Sequence, residues 1–338
     1  MPKVEVRRCL QHERDRVMAF IDTHWSKGHI MATHTGLFDW QHQSVGRDGY
    51  DYMVAWRGEE LLGVLGYINL TRYDPHLDGQ NVIWLALWKV RDDCGVAGLG
   101  LSLLRAVMKQ EPHAWIGVVG INTAHPPMYK ALRFHTGQLT QYVLFNPQVQ
   151  PQLAHVPKGV VLPQVKQGDA QLQRVDQASL TTWPNLNGAA VPAKSGDYFC
   201  RRFLEHPYYH YPLFQVVRDD QVVGLLATRQ VEHEGAKALR LVDYMGDIEH
   251  LGQCGGALLE VLAQQQCEYA DFWVRLADHT PLKQAGFHAV DPDGVLIVPN
   301  YFEPFEQRNV RMYYAFKGPE DHRIFRADGD QDRPNRLP

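Results

Sequence analysis

The sequence has few of the features that mark secreted, membrane-spanning or thiol-dependent proteins. Its five cysteines are scattered and include no CxxC pair, so they indicate neither a disulfide framework nor a thiolate zinc site. No apolar run approaches the length needed to cross a bilayer, and residues 1–20 contain no apolar core of signal-peptide length. We therefore expect a cytoplasmic protein with no membrane partner.

An excess of charge of either sign is also lacking. The net charge of -4 gives no general attraction to nucleic acid, so no nucleic-acid partner is predicted. The content of hydrophobic residues, 45%, and of charged residues, 21%, is that of an ordinary globular protein. At 338 residues, the chain exceeds what one hydrophobic core usually organises, and two domains are expected.

The two halves of the chain show the same order of predicted elements. In each, apolar strand-like segments lead to a glycine-containing loop, a helix, a further strand and a short helix that ends in Phe134 or Phe287. This order predicts an α/β protein made of two similar domains in tandem, each with a mixed β-sheet flanked by helices. The predicted boundaries are 1–150 for the first domain, 151–316 for a degenerate second domain, and 317–338 for a polar C-terminal tail.

The loop "VRDDCGVAGLG" lies between a predicted buried strand and a predicted helix. Such a loop exposes backbone N–H groups at the positive end of a helix dipole, where phosphate oxygens bind readily. Its glycine spacing fits neither the dinucleotide fingerprint nor the Walker loop. Taken alone, the loop is equally compatible with a tight turn that binds nothing.

A second segment, "INTAHPPMYKALRFHTG", places Asn122 at a strand end and Tyr129 on a short helix. Loop and segment together resemble the GNAT superfamily of acyl-CoA-dependent N-acyltransferases. The family's loop pattern, V-x4-[QR]-x2-G-x-[GA], corresponds to Val90, Gly95, Gly98 and Gly100, with Gly95 in place of the usual glutamine or arginine. The second signature of the family matches at Asn122, Tyr129, Leu132 and Phe134.

This resemblance implies an acyl-CoA co-substrate, either acetyl-CoA or a hydroxyacyl-CoA, and no metal. It implies that splayed fourth and fifth strands admit the pantetheine arm and that Tyr129 protonates the departing thiolate. The implied coenzyme-binding residues are Val90, Gly95, Val96, Ala97, Gly98, Leu99, Gly100 and Asn122. In the second half, Leu282 stands where Tyr129 falls, so acyl-CoA is assigned to the first domain and the second is expected to contribute to the acceptor site.

The acceptor is predicted from a segment, residues 24–42, that is rich in histidine and tryptophan, and from a narrower resemblance. Its aromatic and neutral polar side chains suit a sugar or nucleobase, and it lacks metal-ligand spacing. Together with "YFCRRFLEHPYYHYP" and "FRADGDQDRPN", this segment makes the chain similar to tandem-domain enzymes that acylate nucleotide-linked amino sugars for O-antigen and lipopolysaccharide. This similarity implies a dTDP-linked 3-amino or 4-amino deoxysugar. Candidate acceptor-binding residues are His24, Trp25, His34, Trp40, Arg201, Tyr209 and Asp243.

The base that deprotonates the amine is not marked by any motif. The predicted fourth strand, "VIWLALWKV", contains no carboxylate, so Asp39 and His29 are the main catalytic candidates, each with a structural or sugar-binding role as the alternative. Asp243, in the matching strand of the second half, is a third option if it faces the cleft. Two other functions stay open: a GNAT enzyme acting on a peptide or aminoacyl-tRNA amine, and a non-catalytic acyl-CoA-binding module. A homodimer is the candidate assembly.

Overall fold

The computed structural model describes residues 3–175, 186 and 190–333, and it confirms the α/β class. The first half forms β1 (Val4–Cys9), α1 (Arg14–His24), α2 (Ile30–Thr33), α3 (Thr35–His42), β2 (Tyr50–Arg57), β3 (Glu60–Asn69), β4 (Val82–Val90), α4 (Leu99–Gln110), β5 (Trp115–Ile121), α5 (Pro126–Ala131), β6 (His135–Gln138) and β7 (Thr140–Phe145). The long connection predicted after α1 instead contains α2 and α3. His29 and His34 cap these two helices, which is a role that Ser, Thr, Asp or Asn usually takes.

The second half repeats the central elements of the first. It forms β8 (Gln171–Arg174), α6 (Gly196–Phe199), β9 (Leu213–Arg218), β10 (Gln221–His233), β11 (Ala236–Gly246), α7 (Ile248–Gly252), α8 (Gly255–Gln265), β12 (Cys267–Arg275), α9 (Thr280–Gln284), β13 (His288–Ala289), β14 (Tyr301–Phe302), β15 (Phe305–Glu306), β16 (Tyr313–Lys317) and β17 (Ile324–Phe325). The series from β9 to α9 follows the order of the series from β2 to α5.

Each half contributes one strand to the sheet of the other. The first sheet has the order β1-β2-β3-β4-β5-β16-β6, and the second has the order β13-β7-β12-β11-β10-β9-β8 with β17 beside β12. Thus β16 lies between β5 and β6, and β7 lies between β12 and β13. The domain boundaries at residues 150 and 316 stay a prediction. The strands of each sheet come from both halves of the chain.

The two sheets share one hydrophobic core. Trp84 of β4 and Trp273 of β12 are both buried in it, together with apolar side chains from α1, α3 and α6. The opposite face of the first sheet is covered by α4 and α5, and that of the second by α8. Because β4 is covered on both faces, its sequence is almost continuously apolar rather than alternating.

The C-terminal segment is packed into this core despite its polar composition. Arg326, Asp328 and Asp332 are each 1% exposed. Ile324 and Phe325 pair with Arg275 and Val274 of β12. The segment predicted as a polar tail is therefore, over its described residues, part of the junction between the halves.

Candidate active site

The strands β4 and β5 separate in the middle of the first sheet. They pair in parallel only from Val82 with Trp115 to Leu85 with Val118, although β4 continues to Val90. A bulge in β4 accompanies the separation, since Leu65 pairs with Trp88 whereas Tyr67 pairs with Leu85. The extra residue turns β4 away from β5 and leaves a notch between their C-terminal ends.

The glycine loop leads from β4 into α4 at the mouth of this notch. Gly95 and Gly98 have φ values of 65° and 72°, which favour glycine, and no atom lies within 4 Å of the position of a Cβ on either. The first bond of α4 runs from the Ser102 N–H to the Gly98 carbonyl (3.0 Å), so the preceding amides receive no partner from within the helix. The space around Gly95 and Gly98 is therefore open, and the N–H groups of the first turn of α4 have no partner within the helix, whereas the Val96 N–H donates to the Cys94 Sγ (3.5 Å).

Side-chain charges around the loop are balanced. Lys89 pairs with Asp92 and Arg91 with Asp93, each at 2.8 Å. The hydrogen bond from Arg91 lowers the pKa of Asp93 to about 2, so this pair stays ionised at neutral pH. The attraction of an anion to this loop would therefore rest on its backbone amides and the helix dipole.

Tyr129 lies on α5, on the same side of the first sheet as the loop. The residue is 1% exposed, its ring packs edge-on to Phe134 and Trp88, and its hydroxyl has no hydrogen-bond partner among the described residues. Burial raises the pKa of Tyr129, so its hydroxyl stays protonated at neutral pH. Trp88 also lies 3.4 Å from the position of a Cβ on Gly100, so this ring connects the loop with Tyr129.

Asn122 follows the end of β5 and begins the turn into α5. Its side-chain oxygen accepts a hydrogen bond from the Ala124 N–H (3.0 Å), and its carbonyl accepts one from the His125 N–H. A cavity of about 250 Å³ opens beside it, lined by residues 120–123, 310–312, Tyr301 and Gln331. The predicted strand-end asparagine thus stands at the rim of an open site.

Four of the predicted acceptor residues gather at the junction of the halves. The Trp40 ring lies 3.9 Å from that of His206, and the His34 ring lies 4.6 Å from that of Tyr208. Tyr209 stacks on His206, and its hydroxyl is buried with no partner among the described residues. Arg201 is exposed and donates to the Tyr73 carbonyl (3.2 Å).

The other acceptor candidates are dispersed. His24 packs its ring 4.7 Å from that of Phe20, and Trp25 is 49% exposed. Asp243 is completely buried and accepts a hydrogen bond from Lys194 (2.5 Å), so in this structure its carboxylate does not face open space.

Both main base candidates are already engaged. Asp39 accepts hydrogen bonds from the Tyr50 hydroxyl (2.7 Å) and from Arg14 (3.1 Å). His29 caps α2 by accepting from the Met31 N–H (3.2 Å). Burial and the neighbouring Arg333 lower the pKa of His29 to about 4, so its imidazole is neutral at pH 7 but is a weak base.

Sequence reasoning missed the C-terminal residues 330–333, which connect the predicted sites. Gln331 packs against Gly120 at the end of β5, and Asp332 binds Arg202 and Tyr211 of the second half. Arg333 lies beside His29. Burial disfavours the charge of Asp330, but Arg333 and nearby histidines outweigh it and lower the pKa of this carboxyl. These residues belong to "FRADGDQDRPN", one of the stretches that carry the narrower resemblance, but no site role was predicted for them.

The part of the chain that the structure describes contains neither a candidate metal site nor a candidate membrane-spanning helix. No three His, Cys, Asp or Glu side chains there are arranged to hold a metal ion. None of the helices over those residues has the length and apolar character that a bilayer crossing requires.

Comparison of the sequence with protein-family models and with curated proteins finds no significant match. Comparison of the structure with solved structures finds many. A GCN5-related N-acetyltransferase from Anabaena variabilis matches with a TM-score of 0.58 and 9% identity, over 93% of this chain and 72% of that one. A putative acetyltransferase from Pyrococcus horikoshii matches with a TM-score of 0.51 and 11% identity, over 95% of this chain and 91% of that one.

A GCN5-related N-acetyltransferase from Kribbella flavida matches with a TM-score of 0.52 and 10% identity, over 93% of this chain and 70% of that one. The fold is of the GCN5-related N-acetyltransferase type. At these identities the likeness concerns the fold, and it covers both halves of the chain. The tandem GNAT-like architecture that the sequence predicts is thereby confirmed, while the chemistry has to be argued from the residues of this chain.

Proposed function

We propose that the chain is an acyl-CoA-dependent N-acyltransferase that acts on the amine of a nucleotide-linked amino deoxysugar. The observation that carries the proposal is the notch between β4 and β5 with the glycine loop at its mouth. A notch of this kind admits an extended arm between two strands, and the free amides at Gly98 suit the diphosphate of the coenzyme. The first half is proposed to hold the acyl donor.

Tyr129 is the proposed general acid. The coenzyme would supply an activated thioester, whose leaving group is a thiolate. Because the buried Tyr129 hydroxyl is protonated at neutral pH and has no partner among the described residues, it is free to donate its proton to sulfur. Trp88 packs edge-on to the Tyr129 ring and restricts its orientation.

The acceptor is proposed to enter from the junction of the halves. The open cavity beside Asn122 lies on that side of β5, and the aromatic cluster around Trp40 and His206 borders the junction. Aromatic faces and neutral polar groups suit a sugar and a nucleobase. We further propose that the chain acts in O-antigen synthesis, is cytoplasmic and forms a homodimer. The domain boundaries stay as predicted from the sequence.

Proton removal from the amine is proposed to involve solvent. Asp39 is held by Arg14 and Tyr50, and the lowered pKa of His29 makes it a weak base, so neither stands ready as a strong base. Orientation of the bound amine toward the thioester would then account for much of the rate enhancement. The value of kcat/KM should rise with pH, because the free amine becomes neutral.

The test combines a thiol-release assay with the variant Tyr129→Phe. The unmodified protein is expected to release thiol from an acyl-CoA in the presence of a dTDP- or UDP-linked amino sugar. Tyr129→Phe should lower kcat by about 100-fold or more, since a general acid is lost, while calorimetry shows unchanged CoA binding.

Tyr269→Phe is the matched control. Tyr269 is equally buried in the second half and its hydroxyl has no partner among the described residues, so its loss should leave turnover unchanged. Full activity of Tyr129→Phe would contradict the assigned acid. Coenzyme binding without turnover on any amine would favour the non-catalytic module instead.

A further inference from the structure

Two arginines lie directly opposite each other in the second sheet. Arg229 of β10 pairs in register with Arg240 of β11, which in turn pairs with Asp271 of β12. Like charges in directly opposed positions destabilise a sheet. Burial and the nearby Arg326 and Arg229 lower the pKa of Arg240, and Asp271 opposes them only in part.

These side chains and Arg333 form what we call the arginine pocket, Arg229, Arg240, Arg326 and Arg333. The pocket is part of a cavity of about 110 Å³ that is also lined by Tyr301, Phe302 and Gln331. Arg240 is 4% exposed and Arg326 1%. Tyr301 and Gln331 also line the cavity beside Asn122, so the two cavities adjoin.

Several donors of the pocket have no hydrogen-bond partner among the described residues. They are the Nε atoms of Arg229, Arg240, Arg326 and Arg333 and the Nη1 atom of Arg333. A buried donor that lacks a partner destabilises the folded state, and a bound anion would remove this cost. The arginines that carry these donors come from two strands and from the C-terminal segment, and all four line the same cavity.

Carboxylates neutralise only part of this charge. Asp271 is shared by Arg326 (3.2 Å) and Arg240 (3.7 Å), and Asp330 pairs with Arg333 (3.4 Å). Glu303 also lines the cavity. The four arginines of the pocket outnumber these three carboxylates, so the pocket retains an excess of positive charge.

We propose that the arginine pocket binds the phosphate or diphosphate group of the acceptor and thereby aims the acceptor amine at the Asn122 end of β5. A tetrahedral phosphate offers three oxygens to donors from several directions, which matches this pocket better than a planar carboxylate does. This proposal rests on the proposed function. It assigns the phosphate to the arginine pocket and not to the acceptor candidate Arg201, whose guanidinium binds a backbone carbonyl.

The experiment measures binding of inorganic diphosphate to the full chain by calorimetry, with and without saturating CoA. CoA fills the loop at Gly98, so diphosphate that still binds occupies another site. Arg229→Gln should raise the dissociation constant of this second site by about tenfold or more, since a charged hydrogen-bond donor is lost. Arg333→Gln, in the C-terminal segment, is expected to act in the same direction.

Arg218→Gln is the matched control, because Arg218 lies on the adjacent β9, is paired with Asp169 and is outside the pocket. It should leave diphosphate binding within about twofold of the unmodified protein, a difference too small to reflect a lost ligand contact. Arg229→Gln should also melt no lower than the unmodified protein when ligand is absent, because it removes the repulsion with Arg240.

Three outcomes would contradict the proposal that the arginine pocket binds phosphate. They are unchanged diphosphate binding in both Arg229→Gln and Arg333→Gln, equal weakening in Arg218→Gln, and complete displacement of diphosphate by CoA. Failure of CoA to bind, with diphosphate binding still sensitive to Arg229→Gln, would instead refute the acyl-CoA proposal and leave the pocket standing. With an active acceptor, Arg229→Gln should raise KM for the nucleotide-linked amine and leave KM for the phosphate-free amino sugar unchanged.

Discussion

Lys194 lies between two buried carboxylates of the second half. Its ammonium is 2.5 Å from Asp243 and 3.0 Å from Asp328, and the three side chains are 3% exposed or less. Burial raises the pKa of Asp243, and Asp328 adds to the effect, while Lys194 opposes it. The cluster is therefore held together by its one cation.

We predict that Lys194→Met destabilises the protein by about 3–5 kcal/mol at pH 8, because it leaves two carboxylates without a cation in the core. A carboxyl whose pKa is raised by folding contributes stability at low pH and loses it as the pH rises through the folded value. The loss should therefore be smaller at pH 5 than at pH 8. Urea unfolding at the two pH values measures both quantities.

Lys158→Met serves as the control for Lys194→Met, since Lys158 is exposed and far along the chain from the cluster. Its unfolding free energy should stay within about 0.5 kcal/mol of the unmodified value at either pH. Equal stability of Lys194→Met at the two pH values would contradict the role of the buried carboxylates.

Among individual residues, the sequence predicted those that belong to continuous motifs and missed those whose role depends on distant partners. Gly98 and Tyr129 are where their motifs place them, in a loop and on a short helix on one side of the same sheet. Asp243 could be placed on a strand, but Lys194, its partner 49 residues earlier, has no motif. Arg229 and Arg240 become neighbours only through strand register.

The connection between the halves is anchored chiefly by Glu268 of β12, together with Gln307, which donates to the Leu153 carbonyl (2.9 Å). The Glu268 carboxylate accepts hydrogen bonds from the backbone N–H groups of Gln152, Leu153 and Ala154 at 2.7–2.8 Å. Leu153 and Ala154 are buried beside it. The proline-containing connection is therefore fixed to the second sheet over these residues.

We predict that Glu268→Gln lowers the free energy of unfolding by about 2–3 kcal/mol, because an amide NH2 cannot accept and leaves one or two buried N–H groups without a partner. Backbone hydrogen exchange at residues 152–154 should accelerate at the same time. Hydrogen-exchange mass spectrometry and urea unfolding test the two effects.

Glu260→Gln is the matched change on the exposed face of α8 and should alter neither measurement. If Glu268→Gln leaves exchange at 152–154 as slow as in the unmodified protein, the anchor lies elsewhere.

Elements with strong hydrophobic patterns were predicted well, and short capped helices were not. The strands β2 to β5 and the helix α4 follow the predicted order, because their apolar periodicity reflects burial. The helices α2 and α3 were predicted as an irregular connection. Their N-caps are histidines, and the histidine-rich composition indicated a binding loop more strongly than a helix.

The exchange of β7 and β16 joins the two halves through their sheets. β7 forms a ladder with Tyr269–Val274 of β12, and β16 forms one with Ile116–Ile121 of β5. The sheets also share a core around Trp84 and Trp273. Neither half can therefore lose its structure without removing a central strand from the other.

We predict a single cooperative unfolding transition for the whole chain. Urea curves followed by far-UV circular dichroism, by tryptophan fluorescence and by near-UV circular dichroism should coincide, as two-state behaviour requires. A fragment of residues 1–150 should fail to fold alone, because its sheet lacks β16 between β5 and β6. Two separated transitions, or a folded fragment, would contradict this prediction.

The tandem arrangement was predictable at the scale of the molecule, but the exchange was not. The repeated order of strands, glycine loop and helix indicated two related units. Strands β7 and β16 have similar apolar sequences, "TQYVLF" and "YYAFK", and either would suit either sheet. Which sheet each joins is decided by tertiary packing, which no local pattern records.

The place of β16 also bears on how the polypeptide matures during translation. Strand β5 leaves the ribosome long before its neighbour at Tyr313–Lys317 is synthesised. Until then, the nascent first half carries an open edge of unpaired backbone that invites association with other chains. Rapid late synthesis or chaperone protection of this edge should therefore govern how much of the protein reaches its native form in a cell.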